Sequence, residues 1–447
     1  AYVAATRYKL HDNLPYLFKT NDYGASWQKI TNGIPDDDFT RVVREDPARR
    51  GLLYAGTETG VYVSLDDGNS WQSLQSNLPV VPVHDLVVKD NDLVAGTHGR
   101  SFWVLDDLTP LHQIDRDTLK AKDHLFKPRS TCRLLQQTDN PRKVGPGKNY
   151  YVGVQGLPGA FYNKPTLDGK STKVFLDVGK NPPDGVVVIF YLRETPKGET
   201  TLTFRDSNDD VIKTFSTKTE DGLRLETKKG MNKFVWDMRY PEARKVVEDE
   251  GKDKGKTGPS ASGPLAIPGR YRVDLSVGGD VLNENFDILR DPRSSASQQD
   301  LEEQFAFLVR IRDKLSEVNE TIKRVRNIRN QVVHWESRIG DQADHKIFLE
   351  TGCSIREKLS TIENELTLAD PPSSPIGYPA RLDTKLVNLT GSVASADWIP
   401  TKSSYAVFDH VVAQVDRQRD GLTEVVNSDL SAFVNLISDL GLPAISP

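Results

Sequence analysis

Apolar and polar positions alternate with two different periods along this chain, and the change of period divides it. From the first residue to about position 110 the apolar runs are short: Ala1-Tyr2-Val3-Ala4-Ala5 reads as a strand, and Leu14-Pro15-Tyr16-Leu17-Phe18-Lys19 and Gly60-Val61-Tyr62-Val63 read as alternating strands. A period of two puts successive side chains on opposite faces of a strand. The same period returns between Asn149 and Pro292, where Val186 to Leu192, Thr201 to Phe204 and Tyr271 to Leu275 are examples. About seven strands with turn residues between them predict an immunoglobulin-like β-sandwich there. Its segment from Glu242 to Pro264 is rich in Lys, Asp, Glu, Gly and Ser and reads as a long solvated loop.

Beyond Pro292 the period lengthens. Leu308, Ile311, Leu315, Val318, Ile322 and Val325 alternate spacings of three and four, the seam of a helix packed in a bundle. Gln304 to Ile339 holds neither Pro nor Gly and predicts one long helix, and His345 to Leu368 predicts a second, stopped by Asp370-Pro371-Pro372. Tyr405, Phe408, Val412, Val415, Leu422 and Val426 continue the spacing, followed by Leu430, Phe433, Ile437 and Leu440 before Gly441-Leu442-Pro443. The expected architecture is multidomain, mainly β plus α. Residues 1–110 form repeat sheets, 111–148 connect, 149–292 form the sandwich with loop 242–264, and 293–447 form an antiparallel bundle of three or four helices.

The first region repeats. Thr20-Asn21-Asp22-Tyr23-Gly24-Ala25-Ser26-Trp27 recurs as Ser64-Leu65-Asp66-Asp67-Gly68-Asn69-Ser70-Trp71, an offset of 44 residues. That is the length of one four-stranded blade of a β-propeller. In each copy a short Asp side chain can accept hydrogen bonds from turn amides, Gly permits positive φ, and Trp packs the hairpin onto its sheet. Asp22, Gly24, Trp27, Asp66, Gly68 and Trp71 are therefore read as structural. A third copy survives as Asp92 to Thr97 and Ser101 to Asp106, without the box, as expected of a terminal repeat. Three blades are fewer than the four to eight that close a ring. The remaining blades are expected from an upstream part of the polypeptide or from a separate chain.

Composition narrows the function classes. Apolar residues make up 37% of the 447, charged residues 27%, and the formal net charge of -5 argues against nucleic acid as the main partner. No apolar run reaches the ~20 residues of a membrane span. The cluster Lys323, Arg324, Arg326 and Arg329 lacks interleaved aromatics and reads as a solvated helix face. The scattered histidines give no metal-ligand spacing, so neither metal nor other cofactor is expected. Cys132 and Cys353 are read as buried small hydrophobes, with a disulfide as the alternative.

Polar candidates lie in the repeat region. Gly96-Thr97-His98-Gly99-Arg100-Ser101 bends the backbone sharply around a His and an Arg, either as a self-satisfied turn or as a ligand contact for an anion or sugar. His84-Asp85 stands at a strand start and reads as a hydrogen-bonded end or a catalytic pair. Candidate ligand contacts are thus His98, Arg100 and Asp85. Asp36-Asp37-Asp38, after Pro35, reads as a turn, and Asp106 and Asp107 are further carboxylates that a glycosidase would need in pairs.

The box residues match the pattern Ser/Thr-x-Asp-x-Gly-x-Ser/Thr-Trp of sialidase-like and sortilin-like propellers, the BNR or Asp-box families. Tyr2 to Tyr8, Val83-His84-Asp85-Leu86, Gly96 to Arg100, Trp236-Asp237-Met238-Arg239-Tyr240-Pro241, Asp313 to Glu320 and Gly441-Leu442-Pro443 occur with them. The whole resembles the C-terminal half of large bacterial sortilin-like Asp-box proteins, often labelled glycosyl-hydrolase-like. Gly230 to Asp237 and Pro268 to Val273 also resemble the paired strands of flagellar-hook-cap-type sandwiches. The resemblance implies a secreted, periplasmic or cell-surface scaffold that binds a glycan, peptide or protein. The alternative it implies is a multi-propeller glycoside hydrolase whose carboxylates lie mainly on other blades. A homodimer through the helical region, with Phe305 and Trp335 beside its seam, is a further expected partner.

Overall fold

A computed structural model describes residues 1–134, 148–152, 158–165, 171–175, 182–219, 223–246, 261–339, 346–368 and 379–439. The expected loop at Val144 to Gly147, the helix stops at Asp370 to Pro372 and Gly441 to Pro443, and residues 247–260 of the solvated loop lie outside the described residues. The chain is mixed β and α and divides into two compact units. One comprises 1–131, 140–237 and 270–287; the other comprises 132–139, 238–269 and 288–447.

The first unit opens with three antiparallel sheets. β1 (Tyr2–Arg7), β2 (Asp12–Lys19) and β3 (Gln28–Lys29) form the first, and β4 (Thr40–Glu45), β5 (Leu53–Thr57), β6 (Val61–Ser64) and β7 (Gln72–Ser73) the second. β8 (Val83–Lys89), β9 (Asp92–Thr97) and β10 (Phe102–Leu105) form the third. Aligned on the two boxes, β2 and β3 correspond to β6 and β7, so β1 stands where β5 stands. The first sheet thus has no counterpart of β4 among its three strands. Strand alternation sorts each sheet into two faces. Leu17, Ile30, Val43, Leu53 and Trp71 share a core between the first and second sheets. Val42, Tyr54, Val61, Val83, Leu86 and Leu93 share one between the second and third. The third sheet lacks a box tryptophan, and a cleft lined by Leu74, Leu78, Leu93 and Trp103 lies there.

Two short helices, α1 (Thr109–Gln113) and α2 (Arg116–Lys120), follow. α1 is pinned to the second sheet by the buried Asp46, whose carboxylate meets His112 Nε2 at 2.9 Å and accepts from the Tyr54 hydroxyl at 2.9 Å. Burial pushes this carboxyl up, but His112, the Ala48 amide and Tyr54 outweigh it and hold it below its ordinary value.

The segment expected to be a connector contributes β11 (Asp123–Leu125) and β12 (Thr131–Cys132). β13 (Lys148–Val152), β14 (Pro158–Pro165) and β15 (Ser171–Phe175) form a three-stranded sheet. β16 (Val186–Leu192), β17 (Thr200–Arg205), β18 (Val211–Ser216), β19 (Gly230–Trp236), β20 (Gly269–Val277) and β21 (Asp280–Leu289) complete the strands. They make one sheet ordered β11-β16-β19 and another ordered β12-β21-β20-β17-β18. Phe204 of β17 stacks on Trp236 of β19 at 4.6 Å, so the two sheets meet through aromatic rings. β19 and β20 fall in different sheets, which corrects their expected pairing: β19 pairs with β16, and β20 with β17.

The second unit is helical. α3 (Gln298–Ile339) runs 42 residues, capped by Ser297, whose hydroxyl accepts from the Asp300 amide while the Asp300 carboxylate accepts from Ser297. α4 (Lys346–Leu366), α5 (Leu382–Val393), α6 (Lys402–Glu424), a π-helical stretch at Val425–Leu430 and α7 (Ser431–Asp439) pack with it around one core. Among the described residues five helices stand where the spacing predicts three or four, α5 being the one it does not predict. The basic cluster is only partly a solvated face: Arg326 and Arg329 both bind the buried Glu363 of α4, Arg326 Nε at 2.7 Å. Phe305 packs edge-on against Tyr240 at 4.8 Å. Cys132 and Cys353 are unpaired and only half-buried, which corrects their reading as buried.

Candidate functional site

The repeat sheets carry their polar chemistry at one end. In the second sheet β4 pairs with β5 through Thr40↔Thr57 and then Val42↔Gly56, leaving Arg41 as the extra residue of a bulge. In the third sheet β8 pairs with β9 through Val83↔Thr97 and then Asp85↔Gly96, leaving His84 in the same place. A bulge re-aims the side chain of its extra residue, and such irregularities collect beside functional sites. Opposite each bulge stands the first residue of the next hairpin, Glu58 after β5 and His98 after β9. Both are held by the same contact: the Glu58 amide donates to the Phe39 carbonyl at 3.1 Å, and the His98 amide to the Pro82 carbonyl at 2.9 Å.

These repeat-equivalent positions form two pairs of different chemistry. Arg41 Nε donates to Glu58 Oε2 at 2.7 Å. His84 and His98 stack with ring centroids 5.1 Å apart and planes 8° from parallel, both exposed. Burial lowers the His84 imidazole, and the Arg41 and His98 charges lower it further against Glu58, so the two pairs sense one another. Tyr8 stacks on Phe39 at 5.0 Å, and the Arg41 guanidinium lies over both rings, 5.7 Å from Tyr8 and 5.0 Å from Phe39. The result is an aromatic and basic surface with one carboxylate.

Below it, Asp38 is buried, accepting from the Thr57 hydroxyl at 2.9 Å, the Thr59 hydroxyl at 2.6 Å and the Thr59 amide at 3.1 Å. It ties the loop before β4 to the β5–β6 hairpin. The expected turn at Asp36 to Asp38 therefore contains an anchor for the site. Of the three candidate ligand contacts, His98 belongs to this surface and Arg100 is exposed on the same hairpin. The Arg100 carbonyl accepts from Trp103 Nε1 at 3.0 Å. Asp85 turns to Arg44 instead, at 2.7 Å, and is engaged as an ion pair rather than with His84.

No family model matches the sequence, and no curated protein matches it. Among solved structures, the chain is similar to the extracellular domain described as that of a one component system from B. thetaiotaomicron, with 10% identity, a TM-score of 0.17, and coverage of 62% of this chain and 28% of that one. It is also similar to an ancestral GH74 enzyme, with 14% identity, a TM-score of 0.18, and coverage of 62% of this chain and 44% of that one. The matched region thus spans less than half of either structure. At these scores neither likeness bears on fold or activity. Among the described residues, no helix is long and apolar enough to cross a membrane, and no three His, Cys, Asp or Glu side chains gather as for a metal ion.

The box residues lie away from this surface and close their own hairpins. Asp22 Oδ1 accepts from the Ser26 amide at 2.9 Å and the Thr20 hydroxyl at 2.8 Å, and Oδ2 from the Ser26 hydroxyl at 2.6 Å. Asp66 repeats all three contacts with Ser70 and Ser64 at 2.9, 2.8 and 2.6 Å. Arg41 and Glu58 are the site residues that sequence reasoning missed. The repeat was the available signal, since aligning Thr57 with Thr97 sets Glu58 opposite His98.

Proposed function

We propose that the three sheets are consecutive blades of an Asp-box propeller, that β16–β21 belong to an immunoglobulin-like sandwich, and that the chain is an extracytoplasmic binding scaffold. Its ligand surface is the blade end carrying Tyr8, Arg41, Glu58, His84, His98 and Arg100, with the buried Phe39 supporting Tyr8 and Arg41 from beneath. The single observation that carries this reading is the repetition of a bulge residue facing a hairpin residue in two successive sheets, with different side chains each time. A fold requirement would repeat the residue type, as the boxes do; here the geometry repeats and the chemistry varies. The exposed rings of Tyr8, His84 and His98 beside Arg41 and Glu58 suit a glycan, whose apolar ring faces stack while its hydroxyls bond to charged groups.

The test is binding to a glycan panel by the chain and by the double variant His98→Ala/Arg100→Ala, with folding checked by circular dichroism. Loss of the glycan signal in the folded variant supports the reading, and unchanged affinity removes these residues from the site. One observation favours the second reading, a glycoside hydrolase. Burial and the neighbouring Asp92 charge raise the Asp106 carboxyl, while Asp92 accepts from Arg129 Nη1 at 2.9 Å. A carboxyl whose proton affinity is raised by burial and by a second carboxylate nearby is the kind of group that acid-base catalysis uses. Reducing-sugar release from a polysaccharide panel that disappears in Asp106→Asn would favour the enzyme, and absence of release from every substrate counts against it.

A further inference from the structure

We infer that the cleft between the second and third sheets is a binding site for a small planar aromatic ligand with one ring N–H, of the size of an indole. The cleft shares no lining residue with the blade-end surface, so it is a second site. Two successive interfaces between the sheets point to it. In the first, Trp71 is 3% exposed, and its Nε1 donates to the Ile30 carbonyl at 2.7 Å. Leu17, Ile30 and Ile34 on one side and Leu53, Ala55 and Tyr62 on the other cluster around that ring.

The second interface repeats these surroundings without the ring. The offset of 44 residues carries Leu17, Ile30 and Ile34 to Val61, Leu74 and Leu78. The Ile30 amide donates to the Leu17 carbonyl at 2.9 Å, and the Leu74 amide to that of Val61 at 2.8 Å. Across the interface the pairs Leu53↔Ser64 and Ala55↔Tyr62 recur as Leu93↔Leu105 and Ala95↔Trp103. Every residue so placed in the second interface lines the cleft. Ile30 and Ile34 are buried beside Trp71, whereas Leu74 and Leu78 are only half-buried. Trp103 and Leu105 are larger than the residues they replace, and about 390 Å³ of space remains even so.

The chain past β10 shows where the ring went. The Leu108 amide donates to the Asn91 carbonyl at 2.7 Å, as the Asp67 amide donates to that of Gly51 at 2.9 Å, so the backbone still follows the repeat. Counted on from these positions, Trp71 corresponds to His112, and α1 carries that imidazole away to Asp46. What the second interface lacks relative to the first is thus one aromatic side chain. The space left falls in the range of small-ligand pockets, roughly 300–1,000 Å³. Among the described residues nothing donates to the Leu74 carbonyl, the counterpart of the Ile30 carbonyl that holds Trp71. A flat ring between Leu74, Leu78, Leu93 and the Trp103 indole buries its apolar faces, and one ring N–H completes the contact at that carbonyl.

Indole itself is the probe, titrated against the whole chain by saturation-transfer difference NMR. It binds with a dissociation constant of about a millimolar or below. 1-Methylindole, which has no ring N–H, binds roughly five-fold more weakly, as the loss of one hydrogen bond entails. Oxidative footprinting locates the ligand: saturating indole slows labelling of Trp103 and leaves Trp27 unchanged. Leu78→Trp sets a ring into the cleft from its half-buried wall and abolishes binding, with folding checked by circular dichroism. The comparison of indole with 1-methylindole on the wild-type chain does not depend on that variant. No binding at the solubility limit of indole overturns the site, and equal affinities for the two probes overturn the carbonyl contact that defines the ligand class. Equal protection of Trp27 and Trp103 means stacking on any exposed ring and overturns the site as well. So does binding retained in the folded Leu78→Trp variant. N-Acetyltryptophanamide bound much more tightly than indole assigns the cleft to a peptide side chain and overturns the small-molecule occupant.

Discussion

In the hairpin after β2 the box tryptophan is half exposed; in the hairpin after β6 its equivalent is buried, although the same three hydrogen bonds to an aspartate close both turns. The difference lies entirely in what stands next to each. The Asp-x-Gly-x-Ser-Trp segment specifies a turn by itself, through bonds that span four residues at most. Whether that turn contributes to stability depends on the preceding sheet, which supplies the Ile30 carbonyl and side chain to Trp71. Nothing equivalent among the described residues reaches Trp27. A local motif can thus be complete and still leave its anchor unused.

Substitution of the two tryptophans separates these contributions most widely. Trp71→Ala removes a buried ring and leaves a cavity between two sheets, a change that costs ~3–5 kcal/mol. Trp27→Ala, on a half-exposed ring, costs about 0.5 kcal/mol. Urea denaturation of the two variants measures the gap, and equal losses would break the comparison. The glycines give a smaller contrast. Both hold positive φ, +86° at Gly68 and +94° at Gly24, so any side chain is strained there by ~1 kcal/mol. At Gly68 a Cβ would also stand 2.6 Å from Ile30 Cδ1, whereas at Gly24 it meets only the Trp27 ring at 3.8 Å. Gly68→Ala is therefore the more damaging by about 1–3 kcal/mol, the usual range for overpacking. The difference should shrink in the Ile30→Ala background, as a double-mutant cycle would show.

How much of this was legible in the sequence depends on how far each feature reaches along the chain. The boxes, the alternating strands and the seam of α3 are local patterns, and Leu308, Ile311, Leu315, Val318, Ile322 and Val325 are all buried, as the spacing predicts. α5 is not predicted from the spacing, although Leu382, Leu386, Leu389 and Val393 keep a helical period and are buried. Thr384, Thr390, Gly391 and Ser392 are weak helix formers and dilute the signal over only 12 residues. On α6 the spacing predicts Val412 on the seam, but Val411 is the buried residue, one position round the helix, with Val412 only partly buried. The site reaches further. His84 and His98 are brought together by a bulge, and a bulge is one residue of register that alternation alone does not reveal. Asp38 meets partners about 20 residues away on another hairpin, so as one of three consecutive aspartates it read as part of a turn.

The smallest expected effect concerns protons and is visible at the two box aspartates. At Asp22 the Ser26 hydroxyl, the Ser26 amide and the Thr20 hydroxyl all favour the ionised form and bring the carboxyl down to about 2. At Asp66 burial opposes the same set of donors, and the hydrogen bonds still win, leaving the carboxyl below its ordinary value. In both cases the folded form binds its proton less readily than the unfolded chain. The stabilisation is therefore fully present above the unfolded value of ~3.9 and is lost as pH falls through the folded one. Side-chain carboxyl resonances followed by NMR should place the Asp22 midpoint near 2, and Asp22→Asn should flatten the acid limb without touching behaviour near neutrality. A midpoint at the ordinary aspartate value would mean that the first hairpin is not closed in solution. The two boxes would then differ in their turns as well as in their neighbours.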